Sequence, residues 1–205
     1  MSNLVDQGLE KVSRRSAKRA DNRTAILSAA RSMFSELGYG ATTVRDIIRQ
    51  TGLASGTFYN YFDGKDEIFR ALIEDMGIRL RKNLKESRQN TGSVEEGVMM
   101  SFFAYFSFFA NNPADYKLVR SNRGREGGRM SGPQLRAGLE ELREDIHDYI
   151  AQHKFPEVDV DYMAAAATGI AFAILDVMMA RPQPDPHEAA RFAASLTLRG
   201  VEGLK

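Results

Sequence analysis

Apolar residues recur at three- and four-residue steps along almost the whole chain, and the strict alternation of a half-buried strand is absent. That periodicity leaves one fold class, all-α. Its clearest run is Ile68, Leu72, Met76 and Leu80, which puts four apolar side chains on one face of a long helix. Gly38, Thr51-Gly52-Leu53, Asp63-Gly64-Lys65, Gly92-Ser93, Asn111-Asn112-Pro113 and the 182–186 segment interrupt the pattern. Glycine supplies the left-handed residue that ends a helix, and proline cannot continue its hydrogen-bond ladder. About nine helices are expected, three short ones forming a head and a long fourth joining it to a larger helical body. The boundaries read as a flexible basic arm over 1–21, the head over 22–66 and the body over 67–205. The first helix is expected to start at Asp21 or Asn22, with Ile26, Ala30, Phe34 and Leu37 on one face.

Charge and composition narrow the chemistry. The net charge is +1, from 28 basic and 27 acidic side chains in 205 residues. A uniformly basic nucleic-acid coat protein and a polyacidic tail are thereby excluded, but a local basic patch is not. The chain has no cysteine and only three histidines. Disulfides, thiolate metal sites and cysteine nucleophiles are therefore impossible, and neither a metal nor a cofactor is expected. The first residues lack the apolar core and cleavage site of a secretory signal, which suits a cytoplasmic protein. The apolar stretch from Met163 to Ala180 is alanine-rich and carries Asp176, so it reads as a buried helix and not as a membrane span.

Enzymatic patterns are weak. Gly64-Lys65 lacks the upstream glycine and the following Ser/Thr of a phosphate loop, and Gly124 to Gly128 fits no nucleotide fingerprint. Glu144 and His147 form a single E-x-x-H, where a di-iron bundle needs two such pairs. No Ser/His/Asp set stands out, and no catalytic residue is assigned.

The informative segment is Thr43 to Phe62, T-V-R-D-I-I-R-Q-T-G-L-A-S-G-T-F-Y-N-Y-F. It reads as two short helices joined by a turn at Gly52, a helix-turn-helix. Thr43 suits the N-cap of the first, while Val44, Ile47 and Leu53 point inward. Ser55, Gly56 and Thr57 open the second with small side chains, so that its backbone can approach DNA closely. Tyr59, Asn60 and Tyr61 follow with hydroxyl and amide groups suited to phosphates or base edges. Lys65 opens the long helix, where its charge and the free N–H groups suit a phosphate.

Over residues 23–70 the chain resembles the DNA-binding head of the TetR family of bacterial transcriptional regulators. The resemblance is carried by A-I-L-S-A-A-R-S-M-F-S-E-L-G-Y-G-A-T-T-V-R-D-I and G-L-A-S-G-T-F-Y-N-Y-F-D-G-K-D-E-I-F. It implies that Thr43 and Arg45 touch the phosphate backbone and that Ser55, Gly56, Thr57, Tyr59 and Asn60 face the major groove. Tyr61 and Lys65 would clamp phosphates, and Phe58 and Phe62 would be core. Two departures are Ala54, where many members place a capping serine, and Ile48, often alanine.

The resemblance also implies a homodimer on a palindromic DNA operator and a small effector that releases it, most simply a repressor. The last two helices are the dimer candidates, through Ala164 to Ala167, Gly169, Ala171 and Ala173, and through Ala189, Ala190, Ala193, Ala194 and Leu196. The Phe102, Phe103, Tyr105, Phe106, Phe108 and Phe109 cluster exceeds what one helix face can bury, so an apolar effector pocket is expected there. Met99, Phe102, Phe103, Phe106, Tyr116, Arg120, Phe172 and Asp176 are its candidate lining. The stretch N-N-P-A-D-Y-K-L-V-R-S-N-R-G is similar to one in TetR-type repressors of unsaturated fatty-acid synthesis. That similarity implies a fatty acid or acyl thioester as effector, with Arg120, Arg123, Arg125 or Arg129 near its charged end. The competing reading is a helical small-molecule-binding or catalytic bundle that does not bind DNA.

Overall fold

A computed structural model describes residues 2–89, 91–121 and 133–202, with side chains except at 2–14, 135, 201 and 202. Ten helices and no strand occur among the described residues. They are α1 (Ser2–Glu36), α2 (Gly38–Ala41), α3 (Val44–Thr51), α4 (Ser55–Tyr59), α5 (Lys65–Arg88), α6 (Val94–Asn111), α7 (Pro113–Arg120), α8 (Pro133–Ala151), α9 (Val160–Met179) and α10 (Pro186–Glu202).

Three features depart from expectation. Helical backbone begins at Ser2, where an arm was expected up to residue 21. The sequence permits it: the segment contains no proline and, before Glu36, a single glycine, Gly8. The additional short helix α2 follows Gly38, whose φ of +80° turns the chain out of α1. Because α1 ends at Glu36, Leu37 leaves the apolar stripe and is exposed.

The chain falls into two units. One is built from the chain up to Ile73 together with a stretch beginning at Lys117, and the other contains Glu74–Tyr116 and the carboxy-terminal helices. The division thus lies within α5 and further along than residue 66, because Ile68, Phe69 and Leu72 belong to the head core.

That core is assembled from every helix of the head. Ile26, Ala30 and Phe34 of α1, Tyr39 of α2, Ile47 of α3, Phe58 of α4, Phe62, and Ile68, Phe69 and Leu72 of α5 are buried in one cluster with Leu118. Phe34, Tyr39 and Phe69 meet with centroids 5.3–6.1 Å apart, within the range of favourable tilted and edge-on ring contacts.

In the second unit α6 is apolar on nearly every side. Phe102, Ala104, Tyr105, Phe106, Phe108 and Phe109 are all buried, as expected of a helix enclosed by neighbours. Its main neighbour is α10, with α9 beside it. Ala189, Ala190, Ala193 and Ala194 of α10 are buried, and their short side chains permit that approach. A Cβ on Gly77 would stand 2.8 Å from Gln134 Cβ, so α5 and α8 also lie close. Beside that contact Arg81 holds Glu141 at 2.7 Å.

The burial pattern revises which residues are open to a second copy. Ala164 and Ala171 of α9, and the four alanines of α10, are interior and serve the subunit's own core. Ala165, Ala166, Gly169 and Ala173 are exposed, beside exposed Tyr162 and Val177. On α10 Phe192 and Leu196 are exposed as well, Phe192 at 63%. Helix α9 is therefore not the fully buried helix its composition suggested, and it is long and apolar enough to cross a membrane by length and composition alone.

Candidate nucleic-acid interface

The turn between α3 and α4 fixes the site. Thr43 begins α3 with a capping box: its hydroxyl accepts from the Asp46 N–H at 3.2 Å, and the Asp46 carboxylate accepts from the Thr43 N–H at 3.1 Å. The same carboxylate accepts from the Thr43 hydroxyl. These bonds from the Thr43 side chain first, and from its backbone second, hold the Asp46 carboxyl below the usual carboxylate range. Gly52 ends α3 with a φ of +65°, the left-handed cap that L side chains resist. Thr51 then receives the Leu53 N–H at 3.2 Å, completing the turn.

Helix α4 spans only Ser55–Tyr59, shorter than the expected run to Phe62, and Ala54 gives it no side-chain cap. Packing holds it instead. Phe58 is fully buried and Phe62 nearly so, with Arg23 lying over the Phe62 ring at 5.4 Å. With Phe58 turned inward, Tyr59 (58% exposed), Asn60, Ser55 and Gly56 face outward. Thr57 is half-buried. A Cβ added to Gly56 would meet nothing within 4 Å, so the protein's own fold sets no steric demand for glycine at that position.

Thr43 and Arg45 are exposed at the start of α3. Tyr61 is half-buried, and its hydroxyl accepts from Asn22 Nδ2 at 3.2 Å. Lys65 is placed differently from a free phosphate clamp. Its Nζ donates to the Tyr39 carbonyl at 2.8 Å and the Thr42 carbonyl at 2.9 Å, and lies 4.2 Å from the centroid of the Tyr39 ring. An ammonium has three donors, so these two bonds leave one N–H for any other partner. No sequence signal distinguished this ammonium, which ties α2 to the start of α5, from one left wholly for DNA.

In the second unit the expected ligand residues form part of the aromatic core. Phe102 stacks on Phe106 at 6.1 Å, and Tyr105 meets Phe172 edge-on at 6.2 Å. Phe103 is half-buried and stacks on His187 at 4.0 Å. Met99 is half-buried. The hydroxyl of buried Tyr116 donates to Asp176 at 3.2 Å, bringing those two candidates together. Arg120 is exposed and falls in the first unit, not with the others. Arg123, Arg125 and Arg129 lie outside the described residues. Sequence reasoning missed Asp115, a buried carboxylate held by Arg79 at 2.8 Å, because neither residue forms a motif.

Residues 26–72 match the model of the bacterial regulatory proteins of the tetR family. The fold is similar to that of the fatty acid degradation regulator FadR from Bacillus halodurans, with a TM-score of 0.76, 22% identity, and coverage of 88% of this chain and 96% of that one. It is similar to FadR from Bacillus subtilis, solved in complex with stearoyl-CoA (TM-score 0.75, 21% identity, 87% and 98% coverage). The TetR-family regulator PfmR from Thermus thermophilus matches at a TM-score of 0.69 and 24% identity, over 85% and 97% of the two chains. The family match covers the capped α3, the Gly52 turn and α4, and the solved structures share the fold over most of the chain. The match to the tetR family model thus lies over the head, and the chain shares its overall fold with solved regulators of that family.

Proposed function

We propose that the protein is a cytoplasmic homodimeric repressor that binds a palindromic operator and is released by a small apolar effector carrying an acyl chain. The observation that carries the DNA reading is the division of labour on α4. Phe58 and Phe62 anchor it from below, while Tyr59, its ring edge against Phe58, and Asn60 are exposed. Asn60 and Tyr59 read base edges; Ser55, Gly56 and Thr57 keep the approach shallow. Thr43, Arg45 and Tyr61 take phosphates, and Lys65 contributes the one N–H its internal bonds leave.

A single head reads few base pairs, so two heads on a two-fold site supply specificity. The exposed apolar strip of Tyr162, Val177, Phe192 and Leu196, with small residues between, supports pairing through α9 and α10. Support for an acyl effector is twofold. The aromatic α6 is enclosed by helices bearing small residues, and a protein of this fold has been solved with stearoyl-CoA. An effector that favours one arrangement of the paired heads lowers operator affinity by its differential affinity, typically about 5- to 150-fold.

The test is selection of bound duplexes from a random-sequence pool, followed by binding of the enriched duplex to the wild type and to Y59A/N60A. The double variant is expected to keep its melting temperature and to lose at least about 100-fold in affinity for the enriched duplex. A pool from which no duplex is enriched supports the bundle that does not bind DNA, and an unchanged affinity of the double variant overturns the roles of Tyr59 and Asn60.

A further inference from the structure

The face of α1 that buries Ile26, Ala30 and Phe34 continues toward the amino terminus, but beyond the head core its chemistry reverses. Following that stripe toward the amino terminus by three and four residues gives Asn22, then Arg19 and Lys18, then Arg15. Arg15, Lys18 and Arg19 are exposed, and no ion pair joins any of them to a carboxylate among the described residues. They do not face away from the rest of the head. Arg15, Lys18, Arg19 and Asn22 line one open groove whose other wall is Asn60 and Tyr61, the two residues that follow α4. Asn22 Nδ2 bonds the Tyr61 hydroxyl and closes the groove at its inner end. A solvated helix would spread its cations around its circumference. Here three cations without a carboxylate partner among the described residues share one groove with two amides and a phenol, and an extended anion satisfies all of them.

We propose that this groove is a second DNA-binding surface, in which the sugar-phosphate backbone next to the bases read by α4 is held by Arg15, Lys18 and Arg19. The proposal rests on the DNA-binding reading of α4 and adds a wall that the helix-turn-helix does not contain. Its contribution is sequence-independent. Cations on phosphates release counterions, so each contact adds about 0.9 to the slope of log affinity against log salt. Asn60 and Tyr61 lie at the junction, with Asn60 exposed toward base edges and Tyr61 positioned by Asn22. Charge complementarity selects the occupant: the groove is polar and cationic, and an apolar peptide or a second copy of this chain would leave its charges unpaired.

The experiment compares full-length wild type, R15Q/K18Q/R19Q, R15K/R19K and Y59A/N60A by fluorescence anisotropy. The probes are a random-sequence duplex of about 30 bp and the enriched duplex, with salt varied from about 50 to 200 mM. The triple variant is expected to melt as the wild type does. It is expected to weaken on both duplexes by a similar factor, about tenfold or more, and to lose about 2–3 from the salt slope. R15K/R19K keeps the slope, and Y59A/N60A loses the preference for the enriched duplex while its slope changes little. A triple variant with the wild-type slope overturns the second surface and leaves the α4 reading standing. Wild type that binds neither duplex overturns both. Loss of binding to phosphatidylserine vesicles without a changed DNA slope assigns the groove to a membrane surface and also overturns the proposal.

Discussion

The head and the body bury comparable numbers of aromatic rings in opposite ways. In the head Phe34, Tyr39, Phe58, Phe62 and Phe69 come from α1, α2, α4, the segment after it, and α5. In the body Phe102, Tyr105, Phe106, Phe108 and Phe109 all come from α6. A core whose rings come from several elements fixes those elements against one another, since moving any of them breaks contacts with several others. That is what a five-residue, uncapped α4 needs in order to hold Tyr59 and Asn60 in place. A core concentrated on one helix is bounded instead by small residues, such as the alanines of α10. Such walls can shift along a smooth surface, which suits a site that must enclose a ligand. The difference separates a part whose helices are locked to one another by shared rings from a part whose rings sit on one helix.

The largest effect that tests this contrast comes from Phe58→Ala. Phe58 is fully buried and is the one buried residue of α4. Its truncation is expected to cost about 3–5 kcal/mol and to abolish DNA binding. Phe106→Ala, at an equally buried ring, falls in the same stability range. The two differ in where the structure loosens. Hydrogen exchange is expected to accelerate in α3 and α4 for the first, and in α6, α9 and α10 for the second. The same pattern of acceleration in both variants would break the contrast between the cores.

A medium effect distinguishes charges that hold the body together from charges that decorate it. Asp115 is buried and held by Arg79, whose guanidinium also meets Asp75 at 3.1 Å and lies 5.5 Å from the Phe108 centroid. Asp115→Ala leaves that guanidinium with Asp75 alone, and because Arg79 is about a third exposed the loss is about 1–3 kcal/mol and not the full cost of an isolated buried ion. Arg81→Ala removes a pair of similar length to Glu141 whose partners are more open, and is expected to cost under about 1 kcal/mol. Urea unfolding midpoints of the two variants measure the gap. Equal losses would mean that exposure does not rank these pairs.

Much of the head was legible in the sequence, and the reason is visible in the same residues. Thr43, Gly52 and the Ile68-Leu72-Met76-Leu80 stripe act through local backbone chemistry or helical spacing, both of which a linear chain displays. Phe58 and Phe62 were expected in the core through the family resemblance, and both are buried. Lys65 was only half legible: its position at a helix start was clear, but the carbonyls of Tyr39 and Thr42 that receive it come from another part of the chain. The alanines of α9 and α10 were legible as small and not as inner or outer, since composition does not say which neighbour a helix face meets. Ala193 and Ala165 look alike in sequence, yet one is buried under α6 and the other is exposed. The Arg79–Asp115 pair left no signal, because a single acid and a single base on different helices are indistinguishable from surface charges until the fold buries one of them.

The smallest effect isolates the local half of the head's order from the packed half. Thr43→Ala removes the cap of α3 and is expected to cost about 1 kcal/mol at neutral pH, against the several lost at Phe58. The cap is also titratable through its partner. Asp46 has a folded pKa below its ordinary 3.8, first because of the Thr43 side chain and then its backbone. A depressed carboxyl pKa contributes stability that is fully present above the unfolded value and lost as pH falls through the folded one. The gap between wild type and Thr43→Ala is therefore expected to be constant from neutrality down to about pH 5 and to narrow below about pH 4. Thermal melts across that range check it, and a gap that widens on acidification would show that the cap stabilises α3 without the Asp46 charge. Because α4 is held by Phe58 and Phe62 and not by a cap, Thr43→Ala should leave the Tyr59 and Asn60 environment, followed by tyrosine fluorescence, unchanged while α3 frays.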